Sequence, residues 1–100
     1  MNQYILFMHN DVNDAAIAND AQRWHTYLAS LRSSGCFDGG SAIGAGILVQ
    51  KDCTERDANG KVTGYLLVRA DSIQAAQHFL QGNPTHAAGG TVEIRLLVRD

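Results

Sequence analysis

Proline is nearly absent from this sequence, and Pro84 is the only one in 100 residues. Cysteine is almost as scarce: Cys36 and Cys53 stand outside any CxxC or Cys/His spacing, which excludes a zinc ribbon or a dithiol redox motif. The eight basic residues form no run and leave a net charge of −2, so no basic stripe awaits nucleic acid or an anionic membrane. Long apolar runs are missing too. The N-terminal "YILFM" has only five residues and no basic segment before it, too short for a membrane span or a secretory signal. With two free thiols, this predicts a cytoplasmic protein. No Ser/His/Asp spacing, metal-ligand cluster or close carboxylate pair is present, so no metal and no cofactor are expected.

What is present is the composition of a globular domain, 45% apolar and 18% charged, and residues 1–100 are expected to form a single one. A chain of this size buries roughly two thirds of its unfolded surface and needs no covalent staple. Residues 3–9, "QYILFMH", predict a strand that ends at the polar cluster "NDVND". Over 20–34, Trp24, Leu28 and Leu31 recur at helical spacing with Ala21 on the same stripe, and Gly35 stands where a helix C-terminal glycine belongs. "DAAIAND" before it could form an earlier turn. A second strand is predicted over 42–50, "AIGAGILVQ", followed by a charged hairpin excursion with an Asn59-Gly60 turn signal. "VTGYLLVRA" at 62–70 is the third strand. Asp71 and Gln74 make a capping-box arrangement for a second helix with Ile73, Ala76 and Leu80 on its buried face. Gly82, Asn83 and Pro84 are expected to end that helix, and "TVEIRLLVR" at 91–99 is the last strand.

The order βαββαβ predicts an α+β, ferredoxin-like plan, an antiparallel sheet with two helices on one face. Val62, Leu66 and Val68 should meet the helices, as should Val92, Ile94, Leu96 and Val98. The other face carries Tyr65, Leu67 and Leu97 beside Arg69, Glu93 and Arg95. Because the first strand is apolar on both sides, a monomer would expose too much of this face. A homodimer with sheets face to face, enclosing a partly polar cleft, is therefore expected. Arg69, Glu93 and Arg95 would pair across it or line it.

Four stretches together, "YILF", "W…Y…L…SG.F.GGS" over Trp24 to Ser41, "GYLLVRADS" and "NP…AGGTVEIR", resemble the YCII-related family of the dimeric α/β-barrel group. The resemblance covers nearly the whole chain and implies a ferredoxin-like protomer in a dimer with a cleft. Some members are thought to use a histidine–aspartate pair there, with rare catalytic roles such as dehydrochlorination of a hydroxylated aromatic. Here Trp24, not His25, occupies the position of the family's first-helix histidine, and Asn83-Pro84 stands where the family often has Asp-Pro.

Histidine is the side chain best suited to proton transfer near neutral pH. His25, on the flank of the first helix, could be a general base partnered by Asp38, or a boundary residue with a surface hydrogen bond. His86 could be an acid–base group or part of a helix-to-strand connection. His78 is expected in solvent, and His9 stays ambiguous. "DGGSAIG" at 38–44 could form an anion nest with Ser41, or a tight turn. Tyr4, Ser41, Tyr65 and Arg95 complete the residues proposed to contact a ligand. Two functions follow: a small-molecule binding or accessory module, slightly favoured by the displaced histidine, or a small cofactor-free enzyme acting on a polar or aromatic metabolite.

Overall fold

The first strand, β1 (Asn2–His9), fills the middle of the sheet because both of its faces are apolar. In the computed structural model, which describes residues 1–58 and 60–99, β1 lies between two antiparallel neighbours. After it come α1 (Ala15–Ala18), α2 (Ala21–Ser33), β2 (Phe37–Ala42), β3 (Ile47–Leu48), β4 (Arg56–Asp57), β5 (Val62–Ala70), α3 (Ile73–Gln77), a 3₁₀ turn (His78–Leu80), α4 (Pro84–Ala87) and β6 (Val92–Leu96). The main sheet has the order β2-β5-β1-β6, and β3 and β4 form a separate two-stranded sheet. This is a mixed α+β architecture with a four-stranded antiparallel sheet, and the order agrees with a ferredoxin-like plan.

One row from each central strand meets the helices: Tyr4, Leu6 and Met8 from β1, and Leu66, Val68 and Ala70 from β5. Tyr27 and Leu31 of α2 and Ala76 of α3 close over them. Leu6 and Val68 are fully buried, and burying an aliphatic side chain of this size contributes about 1.5–3 kcal/mol.

α2 starts where Asp20 accepts hydrogen bonds from the Gln22 and Arg23 amides, at 2.9 and 3.2 Å. It ends at Gly35, whose φ is +74°. Asp14 caps α1 in the same manner, so the predicted earlier turn is present. Within α2 the buried residues are Tyr27 and Leu31. Trp24 and Leu28 are half-buried and Ala21 is exposed, a rotation away from the predicted stripe.

Several expectations need correction. The second strand is the glycine-rich "FDGGSA", not "AIGAGILVQ", which runs outward into the β3–β4 arm with Ile47, Leu48 and Val49 exposed. α2 ends so close to the edge of β5 that the next residues pair there at once, Phe37 opposite Val68 and Gly40 opposite Leu66. "DGGSAIG" is therefore largely strand, neither nest nor tight turn. Ser72, not Asp71, caps α3, its Oγ accepting from the Ala75 amide at 3.0 Å. Asn83 does not merely stop a helix. Its Oδ1 accepts from the His86 amide at 3.0 Å and starts α4, with Pro84 at the first position, where a missing N–H costs nothing. Ile73 is 40% exposed, and Val98, beyond the end of β6, is 83% exposed. A register shift opposite Met8 and His9 leaves Thr63 as an extra residue of β5, and it takes Val62 out of the core row. The expected Asn59 turn residue lies outside the described residues.

Gly90 is held by crowding. A Cβ there would stand 2.6 Å from Val12 Cγ1 and 2.9 Å from Thr85 Cγ2. The glycine pair before β6 thus lets the chain pass tightly over α4 and the loop after β1.

Candidate functional site

Trp24, Leu28 and Arg32 recur every four residues, so they share one side of α2, next to the side that carries Tyr27 and Leu31 into the core. Beneath this stripe lies a cavity of ≈ 800 Å³, within the range of small-molecule sites. Its floor is the helix-covered side of the sheet, where Met8, Leu66 and Phe37 meet it beside Gly40 and Gly64. Gly40 keeps β2 close to β5, since a Cβ there would stand 2.3 Å from the Tyr65 carbonyl oxygen. Polar groups enter the wall from His9, Asn10, Asn19, Thr63 and Thr85. The half-burial of Trp24 and Leu28 has its cause here: they pack against the core on one side and border the cavity on the other.

The irregularity in β5 sits at this wall. Bulges bend a strand and re-aim its side chains, and the Thr63 hydroxyl bridges the bulge by donating to the Met8 carbonyl at 3.4 Å. At the end of β1, His9 Nε2 stands 2.8 Å from Glu93 Oε1. That hydrogen bond holds the Glu93 carboxyl below its ordinary pKa, against the opposing effect of desolvation and with further help from the Arg95 guanidinium. An ionised Glu93 only accepts, so Nε2 carries the proton of this contact. Two residues on, Asp11 accepts from both the Thr91 amide and the Thr91 hydroxyl, at 2.8 and 2.6 Å. The Thr91 hydroxyl, then the Thr91 amide, lower its pKa.

The residues singled out from the sequence are scattered. Ser41 and Tyr65 belong to the cavity wall. His25 and His86 are exposed and take no part in it. Asp38 cannot serve His25: its carboxylate accepts from Arg69 Nε at 3.1 Å and Gln3 Nε2 at 3.0 Å, on the open side of the sheet. Tyr4 is 4% exposed in the core under the helices. Arg95 lies on the open face, 3.5 Å from Glu93. Arg69 and Arg95 thus have carboxylate partners within the chain. Among the described residues no group of three His, Cys, Asp or Glu could hold a metal, and no helix is long and apolar enough to cross a membrane.

Sequence reasoning missed Arg32 and the cavity-lining position of Trp24 and Leu28. The spacing of 24, 28 and 32 was available as a signal, but an apolar pair at that spacing reads first as core. For His9 the signal was weaker still, because its partner is 84 residues away.

No family model and no curated protein matches the chain. Among solved structures it is similar to 5-chloro-2-hydroxyhydroquinone dehydrochlorinase from Burkholderia phenoliruptrix AC1100, in complex with 2,5-dihydroxybenzoquinone. The TM-score is 0.59 at 13% identity, covering 98% of this chain and 95% of that chain. What the two share over nearly their full lengths is the fold.

Proposed function

We propose that this chain is a small-molecule binding protein of the YCII-related type, and that its ligand occupies the cavity between α2 and the sheet. The observation that carries this reading is the cavity itself: ≈ 800 Å³, walled by Trp24, Leu28, Phe37 and Leu66, with a few polar groups reaching in. A wall in which apolar side chains alternate with hydrogen-bonding ones suits a cyclic or aromatic metabolite with polar substituents. The similar protein supports it as well, being a structure of this fold in complex with a dihydroxybenzoquinone.

Ligand-induced stabilisation tests the reading. A panel of aromatic metabolites should include some that raise the Tm of the wild type. Ala42→Phe, which fills the cavity from an exposed wall position, should lose that response while its own unliganded Tm stays near wild type. Equal stabilisation of both proteins would place the site elsewhere.

A second reading, a cofactor-free enzyme, rests on one observation: His9 lines the cavity and is held by Glu93 at 2.8 Å. The oriented imidazole, with Nδ1 engaging no other side chain among the described residues, has the form a general base needs. Turnover lost in His9→Gln and kept in His25→Ala and His86→Ala would establish it. Turnover unaffected by His9→Gln would end it.

The open sheet face, with half-buried Ile5, Phe7 and Leu67, is read as the contact surface of a homodimer. Two unpaired cysteines suit a reducing compartment, and the cytoplasm is the proposed location.

A further inference from the structure

Among the described residues no aspartate or glutamate lines the cavity, although the chain has ten acidic residues. Arg32 does line it. Arg23, Arg69 and Arg95 each stand within 4.0 Å of a carboxylate, whereas Arg32 has no such partner among the described residues. Arg32 continues the Trp24–Leu28 stripe, and eight residues of helix put it about 12 Å along the axis from Trp24. Phe37, which opens β2 just after α2 ends, shares the Arg32 end of the cavity. Asn19, one residue before the Asp20 cap, stands at the other end of α2, and the wall also holds the amide of Asn10 and the hydroxyls of Ser41, Thr63 and Thr85.

We infer that the ligand is a hydroxylated aromatic carboxylic acid: Arg32 holds the carboxylate, the ring lies against Leu28 and Trp24, and the hydroxyl meets the amide and hydroxyl groups beyond. This rests on the cavity being the binding site and adds the charge and polarity of what it takes. A guanidinium matches a carboxylate in a bidentate pair, and no carboxylate among the described lining residues opposes an anion there.

Trp24 is the only tryptophan, so its emission reports the cavity directly. The test titrates 4-hydroxyphenylacetate and its uncharged amide, exciting where only tryptophan absorbs. In the wild type the acid should bind about tenfold more tightly than the amide, the scale of one charged hydrogen-bonded contact. Arg32→Gln should bring that ratio to one with the amide affinity unchanged, and Arg32→Lys should restore part of it. A purely structural role for Arg32, such as opposing the dipole at the end of α2, would change stability but not the ratio. Equal affinity of acid and amide in the wild type, or a preference that survives Arg32→Gln, overturns the inference and leaves the cavity reading standing. No change in Trp24 emission with either probe overturns both.

Discussion

Tyr27 shows how one side chain links α2 to the 3₁₀ turn beside it. Its ring is 3% exposed in the core, and its hydroxyl donates to the Phe79 carbonyl at 2.6 Å. Burial raises its pKa, so it stays a neutral donor through the physiological range. Tyr27→Phe should cost about 1–3 kcal/mol in a denaturant titration, because the Phe79 carbonyl loses its partner where water does not replace it. Asp11 makes a different prediction. Its carboxylate is favoured in the folded state by the Thr91 hydroxyl and amide, so its folded pKa lies below the unfolded one. The stability it contributes is complete above the ordinary carboxylate range and is lost as the pH falls through the lowered value. Wild type should therefore exceed Asp11→Asn at neutral pH, and the gap should shrink on acidification; a gap independent of pH would contradict this. Such pairs were not legible beforehand, since Asp11 with Thr91 and His9 with Glu93 meet only when β1 and β6 lie side by side. His25 and His86 drew attention as residue types in suggestive elements, and the fold turned both outward.

Among the elements, the sequence was most informative where hydrophobic alternation was strong. β1 and β5 carry unbroken alternating rows, and their extents match expectation within a residue. β2 was misplaced because its pairing comes from proximity to β5 rather than from its own composition of glycine and small residues. The apolar stretch after it looked like a strand of the main sheet, yet only Ile47 and Leu48 pair, with Asp57 and Arg56 of the arm. The region after β5 breaks into short pieces because Gly82 and Asn83 restart the chain instead of ending it. The same segment yields a sharp test of packing. Gly90→Ala places a methyl 2.6 Å from Val12 and should cost about 1–3 kcal/mol by overpacking, measured by denaturation. Gly44→Ala, with no atom within 4 Å of the added carbon, should change little.

For the molecule as a whole, two surfaces carry the account. The radius of gyration is 14.8 Å, against about 13 Å for a compact chain of this length. The almost wholly exposed arm between β2 and β5 accounts for the excess. Ile5, Phe7 and Leu67 on the uncovered sheet face are the contact proposed above for self-association. Leu67→Asp should shift the protein to monomer in sedimentation at micromolar concentration while leaving the helix-covered core intact. The other surface is the cavity, which composition could not show: it needs α2 held over the sheet edge and glycines beneath it. The most direct test follows the single tryptophan indole resonance in a proton–nitrogen correlation spectrum as aromatic fragments are added. If the cavity is the binding site, fragments that bind should shift Trp24 together with Leu28 and Phe37, with His25 and His86 unmoved. Shifts confined to the open sheet face or to the loops around His86 would contradict the account.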